Sequence, residues 1–524
     1  MNPYDFSPLL NHPRRNLLKS AGGILLASSL PYASAFAAEQ AKASKPKKGG
    51  HLVLGIDNAS TTDRIDPASY VEIYGYVVGA QIFNTLIEIS EGDSLRPSLA
   101  ESWEPRKGAT EWVFKLRKGV QFHNGKPLTV KDVIYSLNHH RGANSKSAAK
   151  VYLDTVVDLK ESAPNELTVV LSEGNADFPY LLTDVHFGIG PDGGNFDKGI
   201  GTGAYILENF QPGVRTLTKR NPNYWDATRG HVDSVETIGY NDSTARVAAL
   251  LSGKIHVANR IEPRLLARVT ASPKVKIYRS QDANIFTFPG LSNQSPFDNV
   301  DARLALKYAI NRQEILKSVL AGVGSVANDQ PIVPSNRYFA SDIPARAYDP
   351  DKAAFHWKKS GYSGRLALSV SDSGFPGAVD TGQLYQNSAR KAGIPLDIDR
   401  VPADGYWENV WLKKTFVASN WGTRPTADAI LSLVYLSGAE WNESLWKNDS
   451  FDKLVRSARA ELNEDKRKKI YHDIQVLLSD TGSSVIPVRS DGLDAARSNV
   501  GGFTVTPGLG LSGLKVAEKV WLES

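Results

Sequence analysis

Cysteine is absent from all 524 residues. That excludes disulfides, thiolate metal sites, cysteine nucleophiles and the acylated cysteine of a lipoprotein leader. Local signatures of catalysis are missing as well. There is no Gly-x-Ser-x-Gly elbow and no His-Glu-x-x-His helix, and Gly125-Lys126-Pro127 and Gly253-Lys254-Ile255 lack the Ser or Thr and the glycine spacing of a phosphate-binding loop. Any ATP hydrolysis linked to this chain therefore belongs to another protein. His139-His140 is the only pair of adjacent histidines. Neighbouring positions on a helix point apart, so solvent-exposed imidazoles are expected there and no metal site. Carboxylates that meet only in space leave no local pattern, so an exported hydrolase stays open as a reading of a different class.

An excess of charge of one sign is lacking too. The net charge is +5, and setting aside the first 37 residues, with Arg14, Arg15 and Lys19 against Asp5, lowers it by two to +3. Lys42, Lys45, Lys47 and Lys48 carry much of what remains and read as a solvated linker, which argues against a nucleic-acid partner. No internal repeat or long low-complexity tract interrupts the chain. Apolar residues at 41% and charged residues at 22% are ordinary for a soluble globular protein. The length suggests two to four packed units at roughly 150 residues each. Ten Trp and twenty Tyr supply stiff apolar rings for cores or pocket walls.

The N-terminus reads as an address. Arg14-Arg15-Asn16-Leu17-Leu18-Lys19 matches the twin-arginine export pattern, and Ala35-Phe36-Ala37 offers small residues for cleavage. The stretch between them contains Gly22, Gly23, Ser28, Ser29, Pro31 and Ser34, too dilute for a stable membrane span. A signal peptide over 1–37 and a linker over 38–48 follow. The product is expected in the periplasm, soluble, unlipidated and exported already folded.

Strand and helix signals alternate along the rest. Leu52–Ile56, Glu111–Leu116 and Ile255–Val257 have strand character, and Asn124-Gly125 marks a tight turn. Thr129 with Asp132, Ser243, and Asn311 with Glu314 open helices, while Gly253 and Gly322 end two of them. The segments 450–462 and 465–478 keep helical spacing of Leu454, Val455, Ala458, Ile470, Ile474 and Leu477. This alternation predicts α/β layers.

Segments spread over most of the chain carry a resemblance. They are Arg64-Ile65-Asp66-Pro67, Ile82-Phe83-Asn84-Thr85-Leu86-Ile87, Arg96-Pro97-Ser98-Leu99-Ala100-Glu101-Ser102-Trp103 and the run from Trp112 to Gly125. Gly201-Thr202-Gly203-Ala204-Tyr205, Arg220-Asn221-Pro222-Asn223-Tyr224-Trp225, Ala248 to Gly253, Asp301 to Leu306 and Tyr348 to Ala353 follow in order. Together they resemble the periplasmic oligopeptide, dipeptide and nickel-chelate binding proteins, family 5 of the solute-binding components of ABC transporters. The resemblance implies an α/β fold of the two-lobed, Venus-flytrap kind, with an extra subdomain in the first lobe and the ligand enclosed between the lobes. Lobe I would span 49–282 and lobe II 283–488, with 489–524 returning to lobe I; the crossings would lie near 281–288 and 485–491. Gly125 and Gly203 would permit turns, and Trp103 and Trp225 would pack cores. The implied function is capture of a small peptide or peptide-like solute by a monomer, without catalysis, cofactor or metal, and delivery to an ABC permease with its ATPase subunits.

In peptide-binding members a tryptophan segment of the second lobe pairs its main chain with the ligand, a form of strand addition. Here Asn420, Trp421, Gly422, Thr423 and Arg424 occupy that place. Asn58 and Ser60 would face them from lobe I, and Trp441 and Asn442 would form a floor. Each reading has a plainer counterpart: Trp421 as a core side chain, Trp441-Asn442 as packing at a helix start, Arg424 as a surface charge. Peptide binders carry an aspartate a few residues after the tryptophan to hold the ligand's ammonium, and this chain has Arg424. An arginine facing the cleft would favour a carboxylate-bearing solute, opine-like, glutathione-like or a metal chelate, unless Asp428 supplies the missing anchor.

Overall fold

Alternating apolar runs assemble one large twisted sheet. In the computed structural model of the chain, residues 45–90, 94–142, 145–402, 405–424, 426–439 and 441–523 are described; the twin-arginine segment and its cleavage site lie outside them. His51–Ile56 is buried from Leu52 onward and pairs in parallel with Ser234–Gly239 on one side and Val257–Ala258 on the other. Burial on both faces explains its unbroken apolar character. Across the sheet the order is Ser419–Gly422, Val275–Pro289, Val488–Arg497, Val257–Ala258, His51–Ile56, Ser234–Gly239, Arg215–Arg220, Tyr205–Gln211.

Two lobes hang on this frame. The first packs Leu52, Leu54, Tyr74, Val77 and Tyr205 into a core. It also carries a subdomain, an antiparallel sheet of Ala100–Arg106, Glu111–Leu116, Glu166–Leu171 and Val156–Ala163 backed by the helix Val130–His139. The second has one core around Phe286, Phe288, Leu306 and Tyr385 beside the parallel pair Leu366–Val370 and Leu396–Arg400. Its other core places Trp421 and Ile430 against Val455, Tyr471 and Ile474 of the helices Asp449–Ala460 and Glu464–Thr481.

Local chemistry accounts for most boundaries. Thr129 and Asp132 form the expected capping box, and Asn311 accepts the Glu314 N–H at 3.2 Å. The cap of Ser243–Ser252 is Asp242, which accepts from Ala245 at 2.7 Å, so Ser243 is the first helical residue and not the cap. Gly253 ends that helix at φ +83°, where a side chain would be strained. The expected strand 255–257 is found at Val257–Ala258, where the pairing with Val488–Arg497 sets its ends.

Two expectations need correcting. Gly203 is not a positive-φ turn; a Cβ there would sit 2.3 Å from the Gln81 carbonyl oxygen, so the requirement is close backbone approach. His139 and His140 are not solvent-exposed. His140 is fully buried, bonded through Nδ1 to Ser147 Oγ at 2.7 Å, and burial, with His139 adding, pushes its pKa down to about 3. His139 meets Asp66 at 2.8 Å. The helix end turns into the first lobe, so neighbouring residues both find partners. Among the described residues no helix is long and apolar enough to cross a membrane.

Gly203→Ala should unfold at lower denaturant, by about 1–3 kcal/mol, because two backbones must part to admit one methyl. Urea titration of parent and variant, with unchanged midpoints, would contradict this.

Candidate ligand-binding site

The strand Val275–Pro289 runs through both lobes. Val275–Ser280 pairs with Gly492–Arg497 in the first; after a register break between Ser280 and Asn284, Asn284–Ile285 pairs with Arg489–Ser490. Asp282 sits in the break at φ +58°, its N–H on Asp491 at 3.0 Å and its carboxylate accepting the Ser335 N–H at 3.0 Å. Beyond the break the strand takes Ser419–Gly422 as an antiparallel neighbour. That neighbour ends the sheet. The Thr423 N–H donates to Ala283 at 3.1 Å, and antiparallel alternation then turns the backbone of Trp421 inward and the N–H and C=O of Asn420 and Gly422 toward the open edge.

Aromatic rings stiffen this edge. Trp421 is buried, 6.0 Å from Trp441 and 6.1 Å from Trp411, and Trp407 lies 5.8 Å from Trp411. Behind them lies Glu443, receiving Thr287 Oγ1 at 2.8 Å and Trp411 Nε1 at 3.0 Å. Burial without a cationic partner pushes its carboxyl upward, and these bonds only partly oppose that.

Arg424 closes the row with an unusual balance. Among the described residues its guanidinium has neither an ion pair nor a hydrogen bond, and its Nε is buried without a partner. Its charge lies 5.8 Å from the Trp421 ring. It acts across to the first lobe on Tyr76, Tyr152 and Asp184. Burial pushes both tyrosines up to about 12 against its pull. Burial also works against the Asp184 charge, but His186 overcomes it and holds that carboxyl below its ordinary range, with Arg424 helping. Beside Arg424, a cavity lined by Ile285, Ile332, Trp421, Thr423 and Ile430 holds about 20 Å³, room for one water.

The lobes are held together elsewhere by ions. Fully buried Asp177 of the first lobe accepts Arg337 Nη2 at 2.9 Å and also Arg467 of the second. Arg459 bonds Glu173, and its carbonyl accepts the Ala176 N–H at 2.8 Å.

The other expected residues fall as follows. The Asn420 amide donates to the Gly374 carbonyl and the Thr423 hydroxyl to the Asp282 carbonyl, so both side chains brace the edge. Trp441 is 40% exposed beside Trp421. Asn442 is buried, its amide on the carbonyls of Leu436 and Trp446 at 3.2 and 2.8 Å, a loop staple. Asn58 donates to Glu72 at 2.7 Å and Ser60 bonds within its own loop to Asp63 and Thr62; neither is brought against Trp421. Asp428 is not a free anchor, being held by Arg459 at 3.1 Å through both oxygens. Sequence reasoning missed Tyr76, Tyr152, Asp184 and His186, which meet only through folding and carry no motif.

Comparison with known proteins shows the family and the fold. The profile described as Bacterial extracellular solute-binding proteins, family 5 Middle, matches residues 94–442. The dipeptide-binding protein of Escherichia coli K12 is 24% identical over 479 residues, 81% of this chain and 87% of that protein. Among solved structures, the periplasmic binding protein AgaA of A. tumefaciens R10, in complex with agropinic acid, superposes with a TM-score of 0.77 at 21% identity, covering 91% of this chain and 99% of that one. DppA of Helicobacter pylori, in complex with the peptide STSA, gives 0.76 at 22%, covering 91% and 99%.

Asp177→Ala should cost about 3–5 kcal/mol, because two guanidinia lose their buried partner. It should also enlarge the radius of gyration in X-ray scattering. Unchanged scattering together with unchanged denaturant stability would contradict a closing role for this cluster.

Proposed function

The chain belongs to family 5 of the bacterial extracellular solute-binding proteins, and on that premise we propose that it is the exported receptor of an ABC importer, taking up a small peptide or peptide-like solute. The observation that carries the reading is the free sheet edge at Asn420 and Gly422, flanked by Trp421 and Arg424 beside the break in the crossing strand. Main-chain pairing at an edge accepts varied side chains, while ring stacking and one charge orient the guest. Open lobes admit the solute, closure removes it from water, and the closed shape docks on the permease.

The lobes in this reading are 49–282 with 489–524, and 283–488, so that motion centres on the register break around Asp282 and the facing Ser490–Gly492. In this reading the protein acts as a periplasmic monomer without turnover.

A second reading keeps the mechanism and changes the cargo to an anionic solute of the opine-like, glutathione-like or metal-chelate kind. Arg424 supports it, since a half-buried guanidinium with its Nε buried and no partner among the described residues favours a carboxylate and disfavours an ammonium.

Native mass spectrometry of protein purified from the periplasm, followed by thermal-shift titration with the solute recovered, tests both readings. At a hundred times Kd the solute should raise stability by about 2.7 kcal/mol. Trp421→Ala should weaken binding at least tenfold, and Arg424→Asp should invert the preference between carboxylate-bearing and ammonium-bearing solutes. Full affinity in Trp421→Ala would remove the edge from the site.

A further inference from the structure

The first-lobe face opposite Arg424 holds an acid that pairs with something else. Asp184 Oδ1 lies 2.5 Å from His186 Nδ1 and also accepts the His186 N–H at 3.0 Å. The other ring nitrogen, Nε2, lies 2.9 Å from the Tyr70 carbonyl oxygen. A carboxylate and a carbonyl only accept hydrogen bonds, so both ring nitrogens must donate, and the ring is an imidazolium. The Tyr76 ring stands 5.5 Å from it and that of Tyr70 6.0 Å, fixing its plane. Removing the proton would leave one nitrogen facing an acceptor without a hydrogen.

We propose that His186 is the positioning residue that makes this cleft selective for anions: its imidazolium neutralises and holds Asp184, leaving the charge of Arg424 unmatched and available to a carboxylate of the solute. The inference rests on the reading of Arg424 as a ligand contact. Without His186⁺, Asp184, an acid that feels the charge of Arg424, competes with an incoming carboxylate. It also becomes an acceptor for an ammonium, so the same change should level the preference between solutes of opposite charge.

The groups facing His186 are few. Asp184 lies on its own turn, Tyr70 and Tyr76 come from the preceding segment, and His140 approaches from the end of the helix Val130–His139. His140 is neutral under ordinary conditions, and Arg424 is felt through Asp184. Burial lowers the His186 proton affinity, but the Asp184 bond and charge outweigh it and the Tyr70 carbonyl adds, so the ring titrates above the usual histidine value. The selectivity is therefore complete below that raised value and fades as pH rises through it.

The test uses the full mature chain and two probes, N-acetyl-dialanine, which has a carboxylate and no ammonium, and dialanine amide, which has the reverse. Calorimetric titration at pH 6 should favour the first at least tenfold in the parent, and the ratio should fall toward one as pH rises. His186→Gln should lose most of that ratio and all of its pH dependence; Asp184→Asn should keep the ratio and lose the pH dependence. Nitrogen-15 NMR of the solute-free parent should show both His186 ring nitrogens protonated at pH 7, which needs no solute and no variant. An unchanged ratio in His186→Gln, or a neutral ring at pH 7, overturns the inference while leaving Arg424 as a contact. A parent that prefers the amide, or binds neither probe, overturns both.

Discussion

A single strand that belongs to both lobes is the constraint on which the rest depends. Val275–Pro289 does not keep one register along its whole length: its pairing with Val488–Arg497 shifts between Ser280 and Asn284. Asp282 takes a left-handed conformation there, held by hydrogen bonds from its own N–H to Asp491 and from Ser335 to its carboxylate. Just past this point the strand offers one side to Val488–Arg497 and the other to Ser419–Gly422. The free edge, the tryptophan row and Arg424 thus lie beside the break by topology.

Electrostatics divides the cleft into engaged and unengaged charge. Asp177 is matched by Arg337 and Arg467 and Glu173 by Arg459, pairs that join the lobes, while Asp428 is matched by Arg459 within the second. Glu443 lies behind the rings with neutral donors only. In this neighbourhood Arg424 is a half-buried cation with no hydrogen bond or ion pair among the described residues, and it acts on an acid already taken by His186. A pocket built from hydrogen bonds to backbone and one unmatched charge discriminates chiefly by the ends of its guest and little by its side chains.

The fold was largely legible because it rests on local rules. Capping at Thr129 and Asn311, the Gly253 stop and the alternation in Glu111–Leu116 are short-range chemistry, and ordered motifs supplied the rest. The site was legible in part. Trp421 and Arg424 stood in one segment and could be named, and Trp421 packs in a core while also lining the water-sized cavity beside Arg424, two roles that a tally of hydrophobicity cannot separate. The first-lobe groups that feel the charge of Arg424 are residues 76, 152 and 184, more than two hundred positions away, and nothing local marks them. The misreading of His139 and His140 has the same origin: whether a helix end faces water is decided by what packs on it, here Phe196 against His139 and Phe187 against His140.

The central claim is that the open edge of the Ser419–Gly422 strand is where the solute is held. Hydrogen exchange at the amides of Asn420 and Gly422 measures this most directly, with and without the solute that co-purifies with the protein. These two amides should exchange rapidly in the free protein and slow at least tenfold on binding, while the inward-facing amide of Trp421 stays protected throughout. Bound solute with unchanged exchange at Asn420 and Gly422 would place the guest elsewhere and contradict the account.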